Sequence, residues 1–108
     1  WRIESAADAA RVVHARDQLA TDTAGVVVAN PLPLDRQVDP VLHDRLVAEG
    51  LELLATRDIT GKAVTPALLE FFHAHSGGES LRANVELVLA NARLAGEIAA
   101  ELAAISGR

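Results

Sequence analysis

Gly25-Val26-Val27-Val28-Ala29, running into Asn30-Pro31-Leu32-Pro33, is the stretch on which the fold reading turns. Three consecutive β-branched residues after a glycine predict a strand over about residues 24–29. With no polar residue alternating among them, it is expected to be buried on both faces, as in a parallel sheet. Pro31 and Pro33 end it, because proline has no donor for the ladder. In α/β sheets the loop leaving the C-terminal end of a strand lines the ligand crevice, which makes Asn30 a candidate site-wall residue. A single buried strand is inconsistent within a closed fold, since each orphaned buried amide costs about 1–3 kcal/mol. Residues 1–3 offer only a short second strand. The expectation is therefore an incomplete α/β/α unit, mostly helical here, whose sheet is completed by residues outside this chain.

Outward from that stretch the pattern is helical. Upstream, Ser5-Ala6-Ala7-Asp8 has the form of a capping box, and an Ala- and Arg-rich run follows to about Ala20. Ala9, Val12, Val13 and Arg16 recur at steps of three and four, with the valines expected on the buried side. Downstream, Asp39-Pro40 combines an N-cap acceptor with a proline in the first turn. Val41, Leu42, Leu46, Val47, Leu51 and Leu54 form the stripe of that helix, which fades near Arg57. Residues 58–64 read as a loop holding the only lysine, Lys62. Thr65-Pro66 repeats the cap-then-proline signal for a short helix that ends at Gly77-Gly78. Ser80 is expected to cap a last helix, from about residue 81 to 105. Leu81, Val85, Val88, Ala92, Ala95, Ala99 and Leu102 form a seam expected to pack along its whole length.

Composition narrows the function classes. Half of the 108 residues are hydrophobic, which is globular, but many are alanine and only Trp1, Phe71 and Phe72 are aromatic. The available core is correspondingly thin. A net charge of −5 with no basic stripe argues against nucleic acid as the partner. With no cysteine, disulfides, zinc–thiolate sites and cysteine nucleophiles are excluded. No apolar run is long enough for a membrane helix, and no signal peptide opens the chain. A cytoplasmic location is expected. The opening Trp1-Arg2-Ile3, apolar and in mid-pattern, is that of a chain cut from something longer, with residues 1–108 forming part of a single domain.

Few residues carry chemistry. His73 and His75 would point about 200° apart on a helix and cannot share a metal there. Lys62 has the chemistry of a Schiff-base lysine, but nothing beside it in sequence is arranged to lower its pKa. The reading favoured is a loop lysine that anchors an anion or a carbonyl. Asn84 and Asn91, seven residues apart, lie about 20° apart on a helix, near an apolar stripe. An amide offers two donors and an acceptor, which suits an imide or pyrimidine edge. It equally suits a neighbouring loop's backbone, the reading the pattern favours for Asn91. No metal-ligand cluster, Ser-His-Asp order or phosphate-cradling glycine loop is present.

Several stretches, taken together, resemble the pseudouridine-5′-phosphate glycosidases, the family that includes the indigoidine-synthase-A-like proteins. They are Arg2-Ile3-Glu4-Ser5-Ala6, the Gly25 to Pro33 stretch, Ile59-Thr60-Gly61-Lys62-Ala63-Val64-Thr65-Pro66 with Leu68-Leu69, Gly77-Gly78-Glu79-Ser80-Leu81-Arg82-Ala83-Asn84, Asn91-Ala92-Arg93-Leu94-Ala95, and Glu97-Ile98-Ala99. Each alone is weak; in this order and spacing they are specific. The resemblance covers nearly the whole chain but only the last third of such an enzyme. It implies reversible cleavage of the C–C bond between uracil and ribose 5-phosphate, by a lysine that forms a Schiff base, a glutamate acid/base and a manganese ion. All three lie in the part that precedes residue 1 here. Lys62 does not match the nucleophile. This chain would hold no catalytic or metal residue and would be inactive alone. Asn84 matches the asparagine that contacts uracil, and Asn30, Lys62, Thr65 and Asn91 are the further candidates for the wall of the site. The implied partners are the upstream part of the enzyme, pseudouridine 5′-phosphate and two further copies in a homotrimer. The alternative is a non-catalytic helical interaction module, suggested by the long seam.

Overall fold

The computed structural model describes residues 1–19 and 24–107. Its elements are α1 (Ala6–Leu19), a 3-10 turn at Leu34–Arg36, α2 (Pro40–Thr56), a second 3-10 turn at Gly61–Ala63, α3 (Val64–His75) and α4 (Glu79–Ser106). No strand occurs among the described residues. This overturns the α/β expectation, both the strand over about 24–29 and the shorter one at 1–3. A β-branched run becomes a strand only when a second backbone takes up its N–H and C=O groups and when its faces are packed. Among the described residues no second strand lies beside this run, and its valines are not packed on both faces. Val26, Val27 and Val28 remain 39%, 93% and 37% exposed. The mostly helical character of the chain is as expected.

The chain divides into two compact units, Leu32–Leu87 and the described parts of Trp1–Pro31 with Val88–Arg108. In the first unit, α2 starts as its sequence dictates. Asp39 accepts from the amides of Val41 and Leu42 at 2.9 and 3.0 Å, and Pro40 fills the first turn. The helix ends in a Schellman-type turn. Ile59 N–H donates to the Leu54 carbonyl at 3.0 Å and Asp58 N–H to that of Ala55 at 3.3 Å, with Asp58 left-handed at φ 56°. Leu46 and Leu54 are buried on the face toward α3. There α3 approaches so closely that a Cβ on Gly50 would meet Leu68 Cδ2 at 2.9 Å and Phe71 Cδ1 at 3.1 Å. Val41 and Leu51, which the stripe placed inside, are exposed.

Two starts differ from expectation. α3 begins at Val64, with Ala63 at its cap position and Thr65 and Pro66 already inside the first turn. Proline is tolerated there because the first amides have no intrahelical acceptor. Nor does Ser80 cap α4. The hydroxyl of Ser76 accepts from Ser80 N–H at 3.0 Å, and Ser80 Oγ lies 3.1 Å from His73 Nδ1. Gly77 and Gly78, at φ 62° and 90°, allow that reversal.

In the second unit, Ser5 and Asp8 pair at the start of α1 as expected, except that the Asp8 carboxylate accepts from the Ser5 hydroxyl and from Glu4 N–H rather than from the Ser5 N–H of a full capping box. Asp8 N–H donates to Ser5 Oγ at 3.1 Å, and Ser5 Oγ donates to Asp8 Oδ2 at 2.9 Å. The end expected near Ala20 lies outside the described residues. Ala9 and Ala10, not the valines, are the buried residues of α1, and Val12 is exposed. Trp1, Ile3, Ala9, Val12 and residues 26–29 line one open apolar groove. In this part of α4, Leu94, Ile98 and Leu102 are half-buried, while Val88, Ala92, Ala95 and Ala99 are exposed. The seam expected to pack is thus largely bare, as are Leu81 and Val85 in the first unit. No helix of the described residues is long and apolar enough to cross a membrane.

Candidate functional site

The sequence-derived candidates fall into both units. In Leu32–Leu87, Lys62 sits in the 3-10 turn and Thr65 in the first turn of α3, both exposed. Lys62 makes no hydrogen bond or ion pair with the described residues. Gly61 at φ 61° sets the turn that projects it. Asn84 is exposed in the second turn of α4, and its amide likewise has no partner among the described residues.

Around Asn84 the helix carries charge that the sequence reading missed. Arg36 donates its Nε to Glu86 Oε2 at 3.1 Å and pairs a second time through its terminal nitrogen. Arg82 reaches Glu86 at 3.2 Å, Glu79 at 3.0 Å and the carbonyl of Arg36 at 3.2 Å. The Arg36 guanidinium, with Arg82 in support, holds the Glu86 carboxyl below its ordinary range. Glu79 and then Glu86 hold the Arg82 guanidinium above its own. The Glu79–Arg82 and Arg82–Glu86 spacings are visible in the sequence as i,i+3 and i,i+4 pairs. The Arg36 partnership, fifty residues away, is not. The network straps the Leu34–Arg36 turn to α4. Because positions two apart on a helix point about 200° apart, Asn84 projects away from both Arg82 and Glu86.

In the other unit two candidates do meet. Asn30 Nδ2 donates to Asn91 Oδ1 at 3.2 Å. Asn30 is half-buried and directly precedes Pro31, which restricts its backbone to extended conformations. The expectation that Asn91 serves a loop's backbone is replaced by this contact with a side chain.

The histidines are engaged separately. His73 faces Ser80, while His75 approaches the Phe71 carbonyl at 2.8 Å and stacks on that ring at 4.1 Å. Among the described residues no three His, Asp or Glu side chains come together as a metal site would require. The asparagines among the candidates offer hydrogen bonding by their amides.

A family model described as "Indigoidine synthase A like protein" matches residues 1–101. A pseudouridine-5′-phosphate glycosidase of Salinispora tropica is 49% identical over 104 residues, which is 96% of this chain and 32% of that protein. Its counterpart in Frankia alni is 47% identical, covering 96% of this chain and 28% of that protein. That of Streptomyces griseus is 40% identical over 92% of this chain and 31% of that protein. The chain thus spans about a third of the length of the curated relatives it matches. With a match that spans residues 1–101, the range that holds Asn30, Lys62, Thr65, Asn84 and Asn91, this chain belongs to the indigoidine synthase A like family.

Proposed function

We propose that this chain is the C-terminal third of a pseudouridine-5′-phosphate glycosidase and supplies one amide-bearing wall of its active site. The observation that carries the reading is the near-complete match of the chain to proteins of that name. The complete enzyme reversibly breaks the carbon–carbon bond between uracil and ribose 5-phosphate. A lysine preceding residue 1 bonds the anomeric carbon as the uracil leaves, and a glutamate in the same region supplies the proton the uracil carbon takes up. The ring-opened sugar is then a Schiff base that water releases. A manganese ion bound in that region supplies Lewis acidity. No step runs through a metal held by the residues described here.

Asn84 is the residue of this chain that contacts the uracil ring. Its carboxamide is exposed and has no partner among the described residues, which supports that role, since its full hydrogen-bonding capacity is left for a ligand. The residues Val27, Val88 and Leu89, bare here, are surfaces that the rest of the enzyme covers, and the resemblance of the chain makes the complete enzyme a cytoplasmic homotrimer in this reading.

Uracil release from pseudouridine 5′-phosphate tests the reading. The complete protein is expected to release it and the isolated 108 residues are not. In the complete protein, Asn84→Ala should lower kcat/KM about tenfold, the value of one lost hydrogen bond of about 1.4 kcal/mol. Stability should change by less than about 0.5 kcal/mol, as for other exposed positions. Normal kinetics with a large loss of stability would assign Asn84 a structural role instead.

A further inference from the structure

We propose that Asn91 is a positioning residue: it holds the carboxamide of Asn30 so that Asn30 presents one acceptor and one donor to the edge of a pyrimidine substrate. The inference rests on the glycosidase reading above. The main chain of Asn30 is confined to extended conformations by Pro31. Its side chain is fixed by donation from Nδ2 to Asn91 Oδ1 at 3.2 Å. A carboxamide is planar, so fixing one of its N–H bonds also sets the direction of its oxygen. Asn30 Oδ1 and the second Nδ2 hydrogen have no partner among the described residues. An acceptor beside a donor is the complement of the N–H and C=O pair along the edge of a cyclic imide, which is what a uracil ring carries.

A bond between two side chains sixty-one residues apart is also more than the loop needs to stay folded. Pro31 already stiffens it, and Gln37 Nε2 donates to the Leu32 carbonyl at 2.7 Å just beyond. Asn91 in turn is exposed, on a helix that does not need its amide for its own backbone. The pairing therefore fixes an orientation more than it adds stability.

The test uses the complete enzyme, with uracil release measured against pseudouridine 5′-phosphate concentration. Asn91→Ala and Asn30→Ala are each expected to raise KM about tenfold while kcat stays within about twofold. The double variant should be no worse than the poorer single one, because both remove the same arrangement. Asn91→Asp can only accept at that position. It keeps the direction of the bond and is expected to restore KM to within about threefold of the parent. Unchanged KM in Asn91→Ala, equal damage from Asn91→Asp and Asn91→Ala, or multiplying effects in the double variant would each overturn the positioning role. A parent enzyme that releases no uracil would instead remove the glycosidase reading, and this proposal with it.

Discussion

The facing surfaces of α2 and α3 and the residues 24–29 have the same kind of sequence, aliphatic and nearly free of charge, and opposite fates. Leu46 is fully buried and Leu54 nearly so, while Leu68 and Phe71 close over Gly50. Val27, by contrast, is 93% exposed. The difference is not hydrophobicity. The α2–α3 pair carries its own partner a dozen residues on, and a helix satisfies its backbone internally before it packs. A strand needs both a packing surface on each face and a neighbouring strand; among the described residues no strand stands beside residues 25–29, and Ile3, Ala9 and Val12 cover them only in part.

The sharpest way to break that comparison is truncation at its two ends. Leu46→Ala should destabilise the chain by about 3 kcal/mol, from lost burial plus the cavity left between the helices. Val27→Ala should cost less than about 0.5 kcal/mol. Urea unfolding of both variants checks this, and similar losses would mean that Val27 is buried in solution.

The glycines sharpen it. Gly50→Val places atoms against Leu68 and Phe71 and should cost about 2 kcal/mol even after the helix gains from losing a glycine. Nothing lies within 4 Å of a Cβ on Gly25, so Gly25→Ala should be neutral or stabilising by about 0.5 kcal/mol. Thermal melts of the pair read the contrast directly, and a stabilised Gly50→Val would show that the helices do not approach as described.

The smallest effect is electrostatic. The folded carboxyl of Glu86 titrates below its ordinary value of 4.5. Its contribution to stability is therefore complete above that pH and is lost as the pH falls through the lower folded value. Compared across a pH series, the parent and Glu86→Gln should differ modestly near pH 7 and converge in acid. Added salt should narrow the gap, since the pair is partly exposed. A difference that persists into acid would place the role of Glu86 in packing rather than charge.

The same contrast explains what could be read from the sequence. Three signals that act within a turn are legible: the Ser5–Asp8 pair, the Asp39-Pro40 start and the glycine reversal at 77–78 each act through atoms a few residues apart, whereas the equally local Thr65-Pro66 and Ser80 starts are displaced by the turns that precede them. The strand was misread because β-branching reports a preference that only a second backbone can realise. The seam of α4 was misread in the same way, since its spacing shows that a face is apolar but not that this chain covers it. For the candidate site, Asn84 stood out from helix geometry alone. The meeting of Asn30 with Asn91 and that of Arg36 with Glu86 depend on tertiary folding across fifty or more residues, which no local pattern encodes.

The single tryptophan, Trp1, lies fully exposed on the groove lined by residues 26–29. Intrinsic fluorescence of this chain is therefore blind to the buried leucines of α2, and emission should sit at the red, water-like limit whether the helices are folded or melted. Any body that closes over that groove would shift the emission to the blue. The molecule thus carries a native optical reporter of docking that ignores unfolding.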